Sequence, residues 1–183
     1  MRLAPLGWQG PVPAGIPPVY LEIIGPDPEQ DTSLAADRLQ GVTGMTLQRW
    51  AVQPPDFDRT VAGVGVAGLT DTVLGRVYDM SRTTPGGDTL RWRLTRRLPL
   101  PQNGVPPFLI DWQDSPHPST VSMPTVELRD FRAVSSDPAG TSRVLGLLGA
   151  PEVPVDPGTT PGLRAVFRGA DGEFTVESQA LAL

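Results

Sequence analysis

The chain has 183 residues, a net charge of −5 and a sequence pI of about 4.8. It therefore lacks the basic surface that nucleic acid or an anionic membrane would need, and neither is expected as a partner. It has no cysteine, which excludes disulfides, thiolate metal sites and a cysteine nucleophile and is compatible with a cytoplasmic location.

No run of about 18 apolar residues is present to span a membrane, and Pro5, Pro11 and Pro13 interrupt any apolar leader. All fifteen positive charges are arginine. Their scatter fits a GC-rich genome better than selection for bidentate anion binding. Twenty glycines and twenty-two prolines approach a disordered composition, but the apolar segments are periodic and spaced as in a packed domain.

In chain order, residues 1–17 carry no period and read as irregular. Val19–Ile24 is a strand closed by Gly25-Pro26-Asp27-Pro28. Asp31–Gln40 reads as a short helix capped by Asp31 or Thr32, and Met45–Val52 as a strand. Asp56–Leu69 reads as a helix weakened by Gly63, Gly65 and Gly68. Leu74–Met80 is a further strand. Thr89–Thr95 alternates strictly, with Leu90, Trp92 and Leu94 on one face and Arg91 and Arg93 on the other. Phe108–Trp112 places Leu109 and Asp111 opposite its aromatic face, and Trp92 is expected to be buried. Thr125–Phe131 is a strand, Asp137-Pro138 starts a helix that runs to Leu148, and strands follow at Val153–Asp156, Leu163–Arg168 and Glu173–Ser178.

Residues 45–122 and 125–178 thus repeat one order: strand, helix, then two or three strands. With PVYLEIIGPDPEQ (Pro18–Gln30), SRTTPGGDTLRWRL (Ser81–Leu94) and PPFLIDWQDSPHPS (Pro106–Ser119), the chain resembles the glyoxalase-like branch of the vicinal oxygen chelate superfamily over roughly residues 18–178. The resemblance implies an α+β fold in which repeated βαβββ-type units form a cupped mixed sheet with helices outside. The divisions expected are an irregular segment 1–17, a remnant of a first unit with a short helix at 18–44, a second unit at 45–122 and a third at 123–183. Residues 45–183 form one compact domain in this reading. Family members begin with a further strand–helix unit, so the chain is expected to be shortened at its N-terminus, through a misplaced start or as a natural short variant.

The function implied is that of a small-molecule enzyme: a lyase, isomerase or dioxygenase acting on an oxygenated substrate. Two alternatives stand beside it. One is a non-catalytic module that sequesters a drug or metabolite in the same cup; such relatives are typically dimers, which makes a homodimer the assembly to look for. The other is an inactive, shortened copy. The superfamily's divalent metal is held by His or Glu on first and last strands. Of Glu22, Arg49, Asp111, Thr125 and Val176, which stand near such places, only Glu22 and Asp111 can ligate, so no metal or other cofactor is expected.

The candidate catalytic residues are His117, the only histidine, and Asp111. His117 titrates near neutrality and stands beside Asp114 and Ser115 in a proline-braced loop. The candidate substrate-binding residues are Arg91, Arg93, Arg82 and Trp112. Arg91 and Arg93 share a strand face and would grip an anionic oxygen, unless they pair with Asp111, Asp88 or Glu127. Trp50, Trp92 and Trp112 read as core or pocket wall. No G-x-S-x-G elbow and no strand–G-x-G-x-x-G–helix order is present.

Overall fold

Among the described residues the chain forms ten strands and two α-helices whose whole length is described. The computed structural model describes residues 4–8, 19–25, 39, 41–84, 86–120 and 124–179. The strands are β1 (Ala4–Trp8), β2 (Tyr20–Ile23), β3 (Ala51–Val52), β4 (Arg76–Thr83), β5 (Thr89–Arg96), β6 (Phe108–Asp111), β7 (Thr125–Ser135), β8 (Val155–Pro157), β9 (Gly162–Gly169) and β10 (Gly172–Glu177). The helices are α1 (Phe57–Val66) and α2 (Pro138–Leu147). Asp56 and Asp137 cap them, each side chain accepting a backbone N–H three residues on, at 2.9 Å. The helix expected over Asp31–Gln40 falls, apart from Leu39, outside the described residues.

The first unit folds as its element order requires. Its four strands lie in the order β3-β6-β5-β4, with β3 parallel to β6 and the others antiparallel. Helix α1 covers one face, burying Phe57 and Val64 against Leu74 and Leu109, with Leu148 from the end of α2 in the same cluster. The strand expected over Met45–Val52 shortens to two ladder residues because its first half bonds elsewhere. Leu47 donates its N–H to the Glu177 carbonyl at 3.1 Å, beside the end of β10. Gly104, with φ of 84°, lets the Pro101–Gly104 turn press against the Gln48 carbonyl, where a Cβ would collide.

The second unit is wired differently. β7 pairs antiparallel with β9, and β9 with β10; β8 runs parallel to the end of β7. A bulge between Leu128 and Asp130 shifts the alternation, so Val126 and Leu128 before it and Phe131 and Ala133 after it all join the core.

The α+β class is borne out, but the strands divide into two sheets instead of one continuous cup. The outer edge of β7 is taken at one end by β1, at Gly7 and Trp8, and at the other by β8. Among the described residues the registers of β1 and β8 leave that edge unpaired over residues 127–132, and β3 pairs with β6 instead. Residues 1–17 are also not uniformly irregular: Ala4–Trp8 is a strand between β2 and β7. Pro5 is tolerated there because it lies beyond the residues that pair with β7.

Candidate functional site

The first sheet has two unlike faces, and strand parity decides which residues meet. Directly opposed residues share a face, so Val77, Asp79 and Ser81 of β4 lie with Thr95, Arg93 and Arg91 of β5, under α1. Tyr78, Met80 and Arg82 lie with Leu94, Trp92 and Leu90 on the other face, which no helix covers among the described residues. The β4 side chains there remain exposed, and Trp92 is only half-buried, not the core residue expected.

On the helix face Arg93 is spent on structure. It donates Nε–H and Nη2–H to Asp111 Oδ2 at 3.1 and 2.8 Å. It donates Nη1–H and Nη2–H to the Asp58 carboxylate at 3.0 and 3.2 Å. Its guanidinium also lies 4.6 Å from the Phe57 ring centroid. Hydrogen bonds to Asp58, then Asp111, push its pKa up. Asp111 has little left to offer: its other oxygen accepts the Gln113 N–H at 2.9 Å. Of the pairings weighed for the arginines, that with Asp111 is realised, and Asp58 joins it.

The opposite face gathers aromatic rings. Trp92 and Trp112 lie 5.4 Å apart between centroids, and the His117 ring stands edge-on to Trp112 at 6.0 Å. Tyr20 of β2 meets His117 at 5.5 Å, so the second sheet reaches the same cluster. The loop from Trp112 to Thr120 is pinned. Ser115 Oγ accepts the Arg91 N–H at 2.7 Å, and the His117 carbonyl accepts from Thr120 N–H and Oγ–H at 2.9 and 2.7 Å.

His117 is held on its Nδ1 side by Ser119. Its Nδ1 contacts Ser119 Oγ at 2.6 Å and the Ser119 backbone nitrogen at 3.3 Å. The Ser119 hydroxyl can serve either tautomer as donor or acceptor. Burial lowers the His117 pKa from the ordinary 6.5. The ring is therefore neutral at pH 7. Burial, with Glu22 adding to it, raises Tyr20 to about 12, so it stays protonated. The Trp112 side chain is 9% exposed and its indole N–H is buried with no hydrogen-bond partner.

The predicted residues are thus split. Trp112 and His117 meet, and Arg82 shares their face at the β4 edge; Arg91, Arg93 and Asp111 belong to the other face. Asp111 and His117 do not combine as an acid–base pair. The sequence reading missed Tyr20 and Ser119 as partners of His117 and Asp58 as the partner of Arg93. Parity could have separated His117 from the arginines, since its loop leaves the strand at Trp112.

Elsewhere, an open cleft of about 530 Å³ lies at the start of α2, lined by Gln102, Ser135, Asp137 and Thr141 among others. Within it Asp137 caps Gly140, and Thr141 Oγ donates to Ser135 Oγ at 2.8 Å. A metal fits the arrangement poorly. Among the described residues no three His, Asp or Glu side chains converge, and Asp111 is already committed to Arg93.

The family model described as a glyoxalase-like domain matches residues 14–148, about three-quarters of the chain. The chain belongs to that family. No curated protein and no solved structure matches it. The glyoxalase-like match takes in the whole first sheet, the aromatic cluster and α2, and ends before β8, β9 and β10.

Proposed function

We propose that this glyoxalase-like protein binds an oxygen-bearing small molecule with a flat apolar body on the face formed by Trp92, Trp112, His117 and Tyr20. Binding, not turnover, is what the described side chains favour. The observation that carries the reading is the unpartnered indole N–H of Trp112, buried among aromatic rings. A buried donor left unpaired costs about 1–3 kcal/mol, and a ligand oxygen would relieve it. The His117 ring, held by Ser119 and edge-on to Trp112, lies beside that donor and gives the ligand a second polar neighbour. Stacking on indole rings favours a planar ligand.

The reaction classes of the wider superfamily need a base or a metal. Asp111 is neutralised by Arg93, and His117 has its Nδ1 engaged by Ser119 with no carboxylate hydrogen-bonded to it among the described residues. The test is calorimetric titration of the purified chain with planar phenols, quinones and aromatic ketones, with product analysis alongside. Expected are saturable binding, no conversion, and roughly tenfold weaker binding by Trp112→Phe, which keeps a ring but removes the N–H. Conversion of a bound compound, or no binding across the panel, overturns the reading.

A further inference from the structure

The sheets end in edge strands of very different character. β3 has two residues and β2 four. β10 has six, but Glu173 and Glu177 are drawn into ion pairs with Arg168 and Arg164 of β9. β4 has eight residues, pairs with β5 without a bulge along its whole length, contains neither proline nor glycine, and is exposed at every position. Among the described residues nothing pairs with its outer edge. A long, regular, unprotected edge is a template for another strand.

We propose that a second copy of this chain covers it: β4 pairs antiparallel with its own symmetry mate about Met80. The sequence RVYDMSRT selects that register. In a two-fold pair each residue opposes one on the same face, so the centre must fall on a residue, and the alternatives can be compared. A centre at Asp79 sets Asp79 against itself and Arg76 against the partner's Arg82, like charges at every charged position. A centre at Tyr78 sets Val77 against the carboxylate of the partner's Asp79 and pairs fewer residues. A centre at Met80 sets Tyr78 against the partner's Arg82 twice, guanidinium over ring. It also opposes Asp79 to the partner's Ser81, Val77 to the partner's Thr83, and Met80 to the partner's Met80.

The consequence reaches the aromatic face. Met80 opposes Trp92, and Trp92 packs on Trp112. The pairing would therefore run one apolar floor from Trp112 across the two-fold axis to the second Trp112, with Arg82 inside it instead of at its rim. The inference rests on the strand edge alone and stands whether or not a ligand binds.

The test uses the absence of cysteine. Directly opposed residues of an antiparallel pair have Cα atoms about 4.5–5.5 Å apart, inside the disulfide range of about 4.4–6.8 Å. Met80→Cys should therefore give a disulfide-linked dimer in high yield under mild oxidation. Met45→Cys, at a position 77% exposed and outside β4, should not. Met80→Glu should raise the dimer dissociation constant about tenfold or more in sedimentation equilibrium, through like charges at the axis. Its circular dichroism should be unchanged, since Met80 is 39% exposed in the single chain. A wild-type chain that sediments as a monomer overturns the proposal. So does a dimer that Met80→Glu leaves intact and Met80→Cys fails to cross-link.

Discussion

A single histidine is a private reporter of its surroundings. The C2 proton of His117 has no other histidine to overlap with in the NMR spectrum. Burial holds the ring below 6.5, so its titration midpoint should fall below that value; a midpoint at or above it would mean the ring is solvated or paired with a carboxylate. The sign of the linked stability follows. The unfolded chain binds the proton more readily, so the contribution is full above about pH 6.5 and declines as pH falls towards the folded value. The difference in Tm between wild type and His117→Gln should therefore shrink on acidification. Trp92 and Trp112 should also separate. Trp112 is nearly buried, so Trp112→Ala should cost about 3–5 kcal/mol in a urea melt, the range for a buried large aromatic. Trp92 is half-exposed, and its truncation should cost less than half as much. Equal costs would mean that the open face is covered.

Much of each element was legible because local chemistry decided it. Asp137 reads as a cap and is one, Asp56 rather than Asp58 caps α1 of the two aspartates that could, and the alternation of Leu90, Trp92 and Leu94 against Arg91 and Arg93 is the alternation of β5. The grouping of the site was not legible. Parity says which residues share a face but not which face a helix will cover, and Arg93 looked like a ligand-binding group because its partner Asp58 lies 35 residues away. With that partner known, Arg93 is a clamp between the first turn of α1 and strands β5 and β6. Arg93→Met should lower stability by about 1–2 kcal/mol, a charged hydrogen-bond set discounted for partial exposure. It should leave small-molecule affinity unchanged. A selective loss of affinity with unaltered stability would return Arg93 to the binding site.

At the level of the whole molecule, the two units share an element order but not a strand order. Pairing between distant strands depends on which edges are free, and sequence periodicity carries no record of that. Here β7 pairs with β1, β8 and β9 while β3 pairs with β6, and the strands lie in two sheets. The outer face of the larger sheet carries a lattice of ion pairs, with Arg132 held by Asp130 at 2.7 Å and Asp156 at 2.9 Å. The hydrogen bond from Arg132 pulls Asp130 below the ordinary carboxylate value of 3.8. Its stabilising effect is present above that pH and lost as pH falls through the folded value. An acid titration should therefore show Asp130→Asn losing less stability than wild type below about pH 4, a gap that salt narrows. Parallel acid curves would mean the lattice contributes nothing.

The central claim is that ligand binds the aromatic face and not the arginine face. The most direct measurement follows the His117 imidazole resonances while a planar oxygenated ligand, shown to bind by calorimetry, is titrated in. If the claim is right, those resonances shift in step with occupancy and saturate with the calorimetric constant. Saturable binding that leaves them unmoved would place the ligand elsewhere and contradict it.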